Sequence, residues 1–195
     1  MNNSITIGVL SYQGSVIEHM KALERLDGVR AVEVNKPNML SEIDGLILPG
    51  GESTTISKLM NIFGMTEPIK KRIQDGMPVW GTCAGLILLA KSILGEAPHL
   101  GVMDITVKRN AYGAQIDSFK TTAVIPGVSS KAVELVFIRA PRIEAVENDA
   151  SVLCTVDNHI VAARQNNMLA TSFHPELTED SSFHNYFANM VRNAK

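Results

Sequence analysis

Cys83 stands at the centre of Gly81-Thr82-Cys83-Ala84-Gly85, and about 90 residues later comes His174-Pro175-Glu176. A thiol, an imidazole and a carboxylate make up a nucleophile–base–orienter set: the thiolate attacks, the imidazole moves protons, and the carboxylate holds the imidazole in one tautomer. The surroundings of each motif suit those roles. Met77-Pro78-Val79-Trp80 reads as a short strand and Leu86-Ile87-Leu88-Leu89-Ala90 as a helix, which puts Cys83 at a strand-to-helix corner. The flanking glycines give such a corner its space and backbone freedom. A cysteine at a helix N-terminus lies in the positive end of the helix dipole, which favours the thiolate. In an extended segment residues two apart point the same way, so Glu176 is expected to reach back to His174, with Pro175 stiffening the link. Alone, each signal is weak, because most lone cysteines are small buried hydrophobes. Their conjunction points to a catalytic cysteine.

The elements that must position these groups follow from periodicity. Ile5–Leu10 reads as a buried strand ending at Gln13-Gly14. Val16, Met20, Leu23 and Leu26 form one face of a helix stopped at Gly28. Val29–Val34 and Leu46-Ile47-Leu48 read as strands two and three, the latter running into Pro49-Gly50-Gly51. Ile56, Leu59, Met60 and Phe63 fit a helix closed by Gly64, and Thr66 and Pro68 open another that ends by Gly76. This alternation predicts an α/β fold, a three-layer sandwich with a parallel sheet and helices on both faces. The second half is strand-rich: residues 102–107, 122–125, 133–138, 152–156, 159–163 and 169–173, with hairpin turns at Asp157-Asn158 and Gln165-Asn166-Asn167. These strands are expected to extend the parallel core into a mixed sheet. Phe183, Tyr186, Phe187 and Met190 give a closing helix. No repeat or linker interrupts 1–195, which is expected to be one domain.

At 195 residues the chain is long enough to bury a real core. A net charge of −2 gives no basic field for nucleic acid or anionic lipid, and no apolar run approaches the length of a membrane span. Cys83 and Cys154 form no CxxC and no zinc spacing, so no metal or cofactor is called for. A disulfide would consume the nucleophile. Both are expected to be free thiols in a reducing, cytoplasmic compartment, and Met1-Asn2-Asn3-Ser4 lacks the basic start of a signal peptide. Cys154 sits in a strand pattern and reads as core. His19, His99, His159 and His184 read as structural or surface residues.

The Gly-x-Cys-x-Gly elbow with a late His-x-Glu resembles the class I, or triad, glutamine amidotransferases, whose core is flavodoxin-like. The resemblance narrows on Leu48-Pro49-Gly50-Gly51-Glu52-Ser53-Thr54-Thr55, Val107-Lys108-Arg109-Asn110, Phe137-Ile138-Arg139-Ala140-Pro141 and Ser172-Phe173-His174-Pro175-Glu176-Leu177-Thr178. With the elbow, these blocks span nearly the whole chain and are similar to the glutaminase subunit of pyridoxal 5'-phosphate synthase. One departure is Ser11-Tyr12, where that family has small or apolar residues before Gln13-Gly14.

The resemblance implies L-glutamine as substrate and Cys83, His174 and Glu176 as the catalytic set. It further implies an oxyanion hole from the backbone N–H groups of Gly51 and Ala84, with substrate contacts from Gly51, Glu52, Ser53, Arg109, Ile138 and Arg139. For Arg109 a structural salt bridge is an equal reading. Arg139 lies in an apolar stretch and is expected to be buried and paired. Ammonia released into water is wasted, so the resemblance also implies a separate synthase subunit that receives it, with the Gly50-Gly51 loop as a switch. Two other functions share parts of this pattern: the glutaminase feeding imidazole glycerol phosphate synthesis, which lacks the Gly-Gly-Glu-Ser-Thr-Thr and Ile-Arg-Ala-Pro blocks, and a non-catalytic scaffold, which needs no triad. Cys83→Ala is expected to abolish glutamine hydrolysis with the fold intact, and Cys154→Ala to be nearly silent. Activity of the Cys83 variant within about tenfold of wild type, about 1.4 kcal/mol of barrier, would reject the nucleophile.

Overall fold

The computed structural model describes residues 4–109 and 118–195. Its first half alternates as the pattern predicts: β1 (Ile5–Leu10), α1 (Val16–Glu24), β2 (Val29–Val34), β3 (Gly45–Leu48), α2 (Ser53–Ile62), α3 (Thr66–Gln74), β4 (Val79–Thr82) and α4 (Ala84–Leu89). The second half contains β5 (Ala90–Ile93), β6 (Met103–Lys108), β7 (Ser118–Ile125), β8 (Ser129–Ile138), β9 (Arg142–Val146), β10 (Ser151–Val156), β11 (His159–Gln165), β12 (Met168–Thr171) and α5 (Ser182–Asn193). The main sheet has the order β2-β1-β3-β4-β12-β11-β9-β6-β5, with β10 paired to β11. From β2 to β12 all pairings are parallel; β12–β11, β11–β9 and β9–β6 are antiparallel. The sheet is mixed, as expected.

Period-two alternation sorts the strand residues onto two faces. Leu46 and Leu48 of β3 and Val79 of β4 pack with Ile56, Met60, Ile69 and Ile73 of α2 and α3. Ile47 and Trp80, from the same strands, pack with Leu23 of α1 and with Phe183 and Phe187 of α5. Helices therefore cover both faces. The Asp157-Asn158 turn has φ of 48° and 62°, the two left-handed residues a tight hairpin needs.

Three features differ from the sequence reading. β7 and β8 do not extend the main sheet but form a separate two-stranded ribbon, anchored where Phe137 packs edge-on against Phe173. β5 and β9 were not anticipated. β5 follows α4 without a turn signal, and β9 comes directly after Pro141, where Arg142 and Glu144 break the apolar pattern. Finally, the fully buried face of α1 is His19, Ala22 and Leu23, so the stripe is rotated towards a histidine.

The strand-to-helix corner depends on two glycines. A Cβ on Gly85 would sit 1.9 Å from the Leu48 carbonyl oxygen, and one on Gly81 would sit 2.4 Å from the Gly85 carbonyl carbon. α4 thus lies directly on the end of β3. Gly85→Ala is expected to cost more than about 3 kcal/mol, a Tm fall of at least roughly 6 °C. Gly64→Ala, at φ 65° with open space around it, should cost about 1–2 kcal/mol. Equal melting of the two variants would overturn this packing account.

Candidate active site

The C-terminal ends of β1, β3, β4 and β12 meet at one edge of the sheet, where sites form in open parallel α/β sheets. β3 leads to Gly50-Gly51, β4 to Cys83, β12 to His174, and β1 to Gln13-Gly14-Ser15. Cys83 has φ 49° and ψ −101°, a left-handed geometry that costs a non-glycine residue about 1–3 kcal/mol. Its N–H donates to the Thr171 carbonyl at 2.8 Å, tying the corner to β12. The thiol-bearing residue is 8% exposed, at the floor of a cavity of about 520 Å³.

His174 reaches the same cavity from the other side. Its N–H donates to the Val136 carbonyl of β8 at 2.8 Å, and its ring lies so close to Gly50 that a Cβ there would be 2.5 Å from Cε1. His174 Nδ1 and Glu176 Oε1 are 2.8 Å apart. The contact forms as expected, but Pro175–Leu177 is a turn of 3₁₀ helix, not an extended segment. Proline is well suited to open that turn because its φ is preset and its missing N–H is not needed there. Glu176 Oε1 also accepts from Ser15 Oγ at 2.7 Å.

The electrostatics follow from this wiring. Burial pushes the His174 imidazolium down, but Cys83 and Glu176 more than offset it and raise its pKa to about 10. Burial pushes the Glu176 carboxyl up, but His19, His174 and Ser15 hold it at about 2. An imidazolium beside a carboxylate is thus the resting pair at neutral pH.

The cavity lining includes Gly51, Ala84, Glu52, Ser53, Arg109, Ile138 and Arg139 along with Cys83 and His174. Glu176 lies behind His174 and not on the wall. The Glu52 carboxylate accepts from Thr54 Oγ1 at 2.8 Å and from Arg109 at 2.6 Å. Arg109 also pairs with Glu96 at 3.2 Å, so it is both ion-paired and on the cavity wall. Ser53 Oγ is buried and without a hydrogen-bond partner among the described residues. Arg139 corrects an expectation: it is exposed, not buried, and has φ 42° where the β8 strand ends. The apolar run that suggested burial ends one residue too early, because Ile138 is itself 39% exposed. Asn110 lies outside the described residues.

Some participants were not read from the sequence. Gln13 Oε1 accepts the Glu52 N–H at 2.8 Å, and Ser15 N–H donates to the Gly50 carbonyl at 3.0 Å. The Gln13-Gly14 dipeptide marked a strand end, but nothing local tells that its neighbour Ser15 bonds a carboxylate 161 positions away. Tyr12, the departure noted above, stacks on Phe63 at 5.2 Å and donates its hydroxyl to the Asn35 carbonyl. Cys154 is buried, and burial raises its thiol pKa.

Comparison with known proteins gives consistent matches. The SNO glutamine amidotransferase family model matches residues 9–193. The pyridoxal 5'-phosphate synthase subunit PdxT of Clostridium beijerinckii is 57% identical over 182 residues, 93% of this chain and 95% of that protein. The subunit of the same description from Streptomyces avermitilis is 53% identical over 193 residues, 97% and 96% of the two chains. A crystal structure described as a glutamine amidotransferase has a TM-score of 0.90 at 44% identity, covering 95% of this chain and 98% of that one. PurLQS from Thermotoga maritima shares the fold, with a TM-score of 0.71 at 16% identity and coverage of 95% and 98%.

The His174 value has a sign that can be tested. A pKa raised to about 10 keeps the imidazolium below that pH and loses it above. For glutamine as substrate, kcat/KM is therefore expected to hold from about pH 7 to about pH 9 and to fall through about pH 10. A descending limb at the ordinary histidine value of 6.5 would contradict the assigned pair.

Proposed function

The chain belongs to the SNO glutamine amidotransferase family, and from that premise we propose that it hydrolyses L-glutamine to L-glutamate and ammonia at Cys83. The ammonia passes to a synthase subunit that builds pyridoxal 5'-phosphate. The observation that carries this reading is the His174–Glu176 pair, 2.8 Å apart, sharing a cavity with Cys83 in a chain more than half identical to proteins described as pyridoxal 5'-phosphate synthase subunits.

In this reading the Cys83 thiolate attacks the carboxamide carbon and the carbonyl oxygen becomes an oxyanion. Backbone N–H groups of Gly51 and Ala84 hold that oxyanion, each such donor being worth about 3–4 kcal/mol of barrier. His174, as imidazolium, gives its proton to the leaving nitrogen, and ammonia departs as the C–N bond breaks. Water then attacks the thioester carbon while His174 takes its proton. Glutamate leaves and the thiolate returns. Glu176 stays ionised throughout and orients His174.

The polar wall binds the amino-acid end of the substrate. Glu52 faces the α-ammonium, and its pKa is lowered by the Thr54 hydroxyl and by Arg109, which favours the anion. The Arg139 guanidinium and the unpartnered Ser53 hydroxyl take the α-carboxylate, and the Ile138 backbone borders the same end. Arg109 acts by holding Glu52. A cavity of about 520 Å³ falls in the range for a small ligand.

The synthase is a separate chain. Ile17 and Phe63 are 62% and 52% exposed, and both flank the Gln13–Ser15 loop in sequence or by the Tyr12 stack. This apolar surface beside the cavity supports docking there. Both cysteines are free, and no helix among the described residues is long and apolar enough to cross a membrane. These features fit the cytoplasm as the place of work.

Docking also gives a means of coupling. The Gly50 carbonyl is held by the Ser15 N–H. A flip of the Gly50–Gly51 peptide would break that one bond, at a cost of about 1 kcal/mol, and would reverse the Gly51 N–H. In a steady-state glutaminase assay at saturating glutamine, adding the synthase is expected to raise kcat at least about tenfold, about 1.4 kcal/mol. Equal kcat at every synthase concentration would exclude the switch, and absence of glutaminase activity with the synthase present would exclude the function.

A further inference from the structure

Only one oxygen of Glu176 is used by the arrangement above. Oε2 is buried and makes no hydrogen bond among the described residues; it faces His19 Nε2 at 3.5 Å. His19 is fully buried on α1, with Nε2 3.1 Å from Thr82 Oγ1 and Nδ1 3.1 Å from His184 Nε2. His184 is fully buried on α5, and its Nδ1 has no hydrogen-bond partner among the described residues. Trp80 packs edge-on against both rings, which leaves them little freedom to turn.

Two proton arrangements are open to this chain of rings, and they differ in what they leave unpaired. Burial lowers the pKa of His19, and burial with the neighbouring His19 takes that of His184 to about 3, which favours the neutral form of each ring. If His19 carries its proton on Nδ1, it donates to His184 Nε2. His184 Nδ1–H is then a buried donor without an acceptor, and the bare Nε2 of His19 accepts from the Thr82 hydroxyl, which leaves Glu176 Oε2 facing no donor. If His19 carries its proton on Nε2, that N–H is shared between the Thr82 hydroxyl, a free rotor, and Glu176 Oε2. His184 then donates from Nε2 to His19 Nδ1, and the atom left over is a lone pair on His184. An unpaired lone pair costs less than an orphaned buried N–H beside a buried carboxylate oxygen that faces no donor.

We propose that His19 is a positioning residue for the glutaminase centre, its Nε2–H aimed at Glu176 Oε2 so that Oε1 stays turned towards His174. The proposal rests on the function stated above for that centre. The chain of contacts runs from α5 through His184 and His19 to Glu176, and from there to His174 and the cavity. Removing the Nε2–H takes away the polar hydrogen that faces this buried oxygen across 3.5 Å. Its carboxyl is then free to rotate, and the tautomer of His174 is held less firmly.

The test uses full-length protein with its synthase partner. His19→Leu removes the donor, and His19→Gln returns an amide N–H near the Nε2 position. His19→Leu is expected to lower kcat at least about tenfold with KM for glutamine within about threefold, and His19→Gln to recover kcat to within about threefold of wild type. A His19→Leu enzyme with wild-type kcat overturns the proposal, as does a pair of variants equally impaired and equally destabilised. Long-range ¹H–¹⁵N spectra of the wild-type protein decide the proton arrangement even if the leucine variant does not fold. A protonated Nε2 and bare Nδ1 on His19 is the expected result; the reverse tautomer or an imidazolium overturns it. An inactive wild type would sink the glutaminase reading separately, because the spectra report the contact whatever the enzyme does.

Discussion

A cysteine held in a left-handed backbone conformation is the constraint on which the rest of this structure depends. At φ 49° and ψ −101°, Cys83 persists only because its surroundings over-determine it. β4 is a central strand between β3 and β12, in register at Leu48↔Gly81 and Thr171↔Thr82. The Cys83 N–H is bonded to β12, and α4 presses onto the end of β3 through Gly85. The same parallel pairing sets where the other loops emerge. Gly50 leaves β3 and His174 follows β12 because those strands flank the one that ends in Cys83, and the cavity is what lies between the three.

The second organising interaction is the burial of the Glu176 charge. Moving an unpaired carboxylate from water into a protein costs several kcal/mol, and each charge-assisted hydrogen bond returns about 1.5–3 kcal/mol. Ser15 and His174 supply two such bonds to Oε1. The site therefore depends on the β1–α1 loop as much as on the triad. That loop holds the Gly50 carbonyl through Ser15 and the Glu52 N–H through Gln13. Any displacement of Gln13–Ser15 acts at once on the carboxylate and on the Gly50–Gly51 peptide.

The parallel half of the fold was legible because its helices and strands announce themselves locally. Ile56 and Met60 repeat at helical spacing, and Leu46-Ile47-Leu48 is a buried strand closed by Pro49-Gly50-Gly51. The motifs around Cys83 and His174-Pro175-Glu176 could be picked out for the same reason: each is short and contiguous. What escaped was long-range. The separate β7–β8 ribbon reads like any other pair of strands, since its detachment is decided by Phe137 docking on Phe173. The charged alternation of Arg142-Ile143-Glu144 hid β9, a strand between β11 and β6 in the sheet. His19 lies off the Val16-Met20-Leu23-Leu26 stripe and reads as structural or surface; its neighbours Thr82, Glu176 and His184 are far away in sequence, so nothing local announces them.

The two walls of the cavity differ in physical character, and the difference matters for how the site works. On one wall Cys83 and His174, with Glu176 behind His174, are each less than a tenth exposed, and they are bonded to strand ends or to the β1–α1 loop. Their geometry is set by the core. On the recognition wall, the Glu52 side chain is 51% exposed and Arg139 is exposed at the end of a ribbon outside the main sheet. Glu52 is held by its ion pair with Arg109, which also pairs with Glu96, contacts that solvent and salt weaken. Such a division lets the reacting atoms stay pre-organised, which is where rate is gained, while the charged wall adjusts as the amino-acid end of a substrate enters. The joint between the walls is the short stretch Gly50–Ser53, which begins against the His174 ring and ends as the first residue of α2. On the proposed function, substrate held at Glu52 and Ser53 would for that reason be coupled through the short Gly50–Ser53 backbone to the donor proposed for the oxyanion.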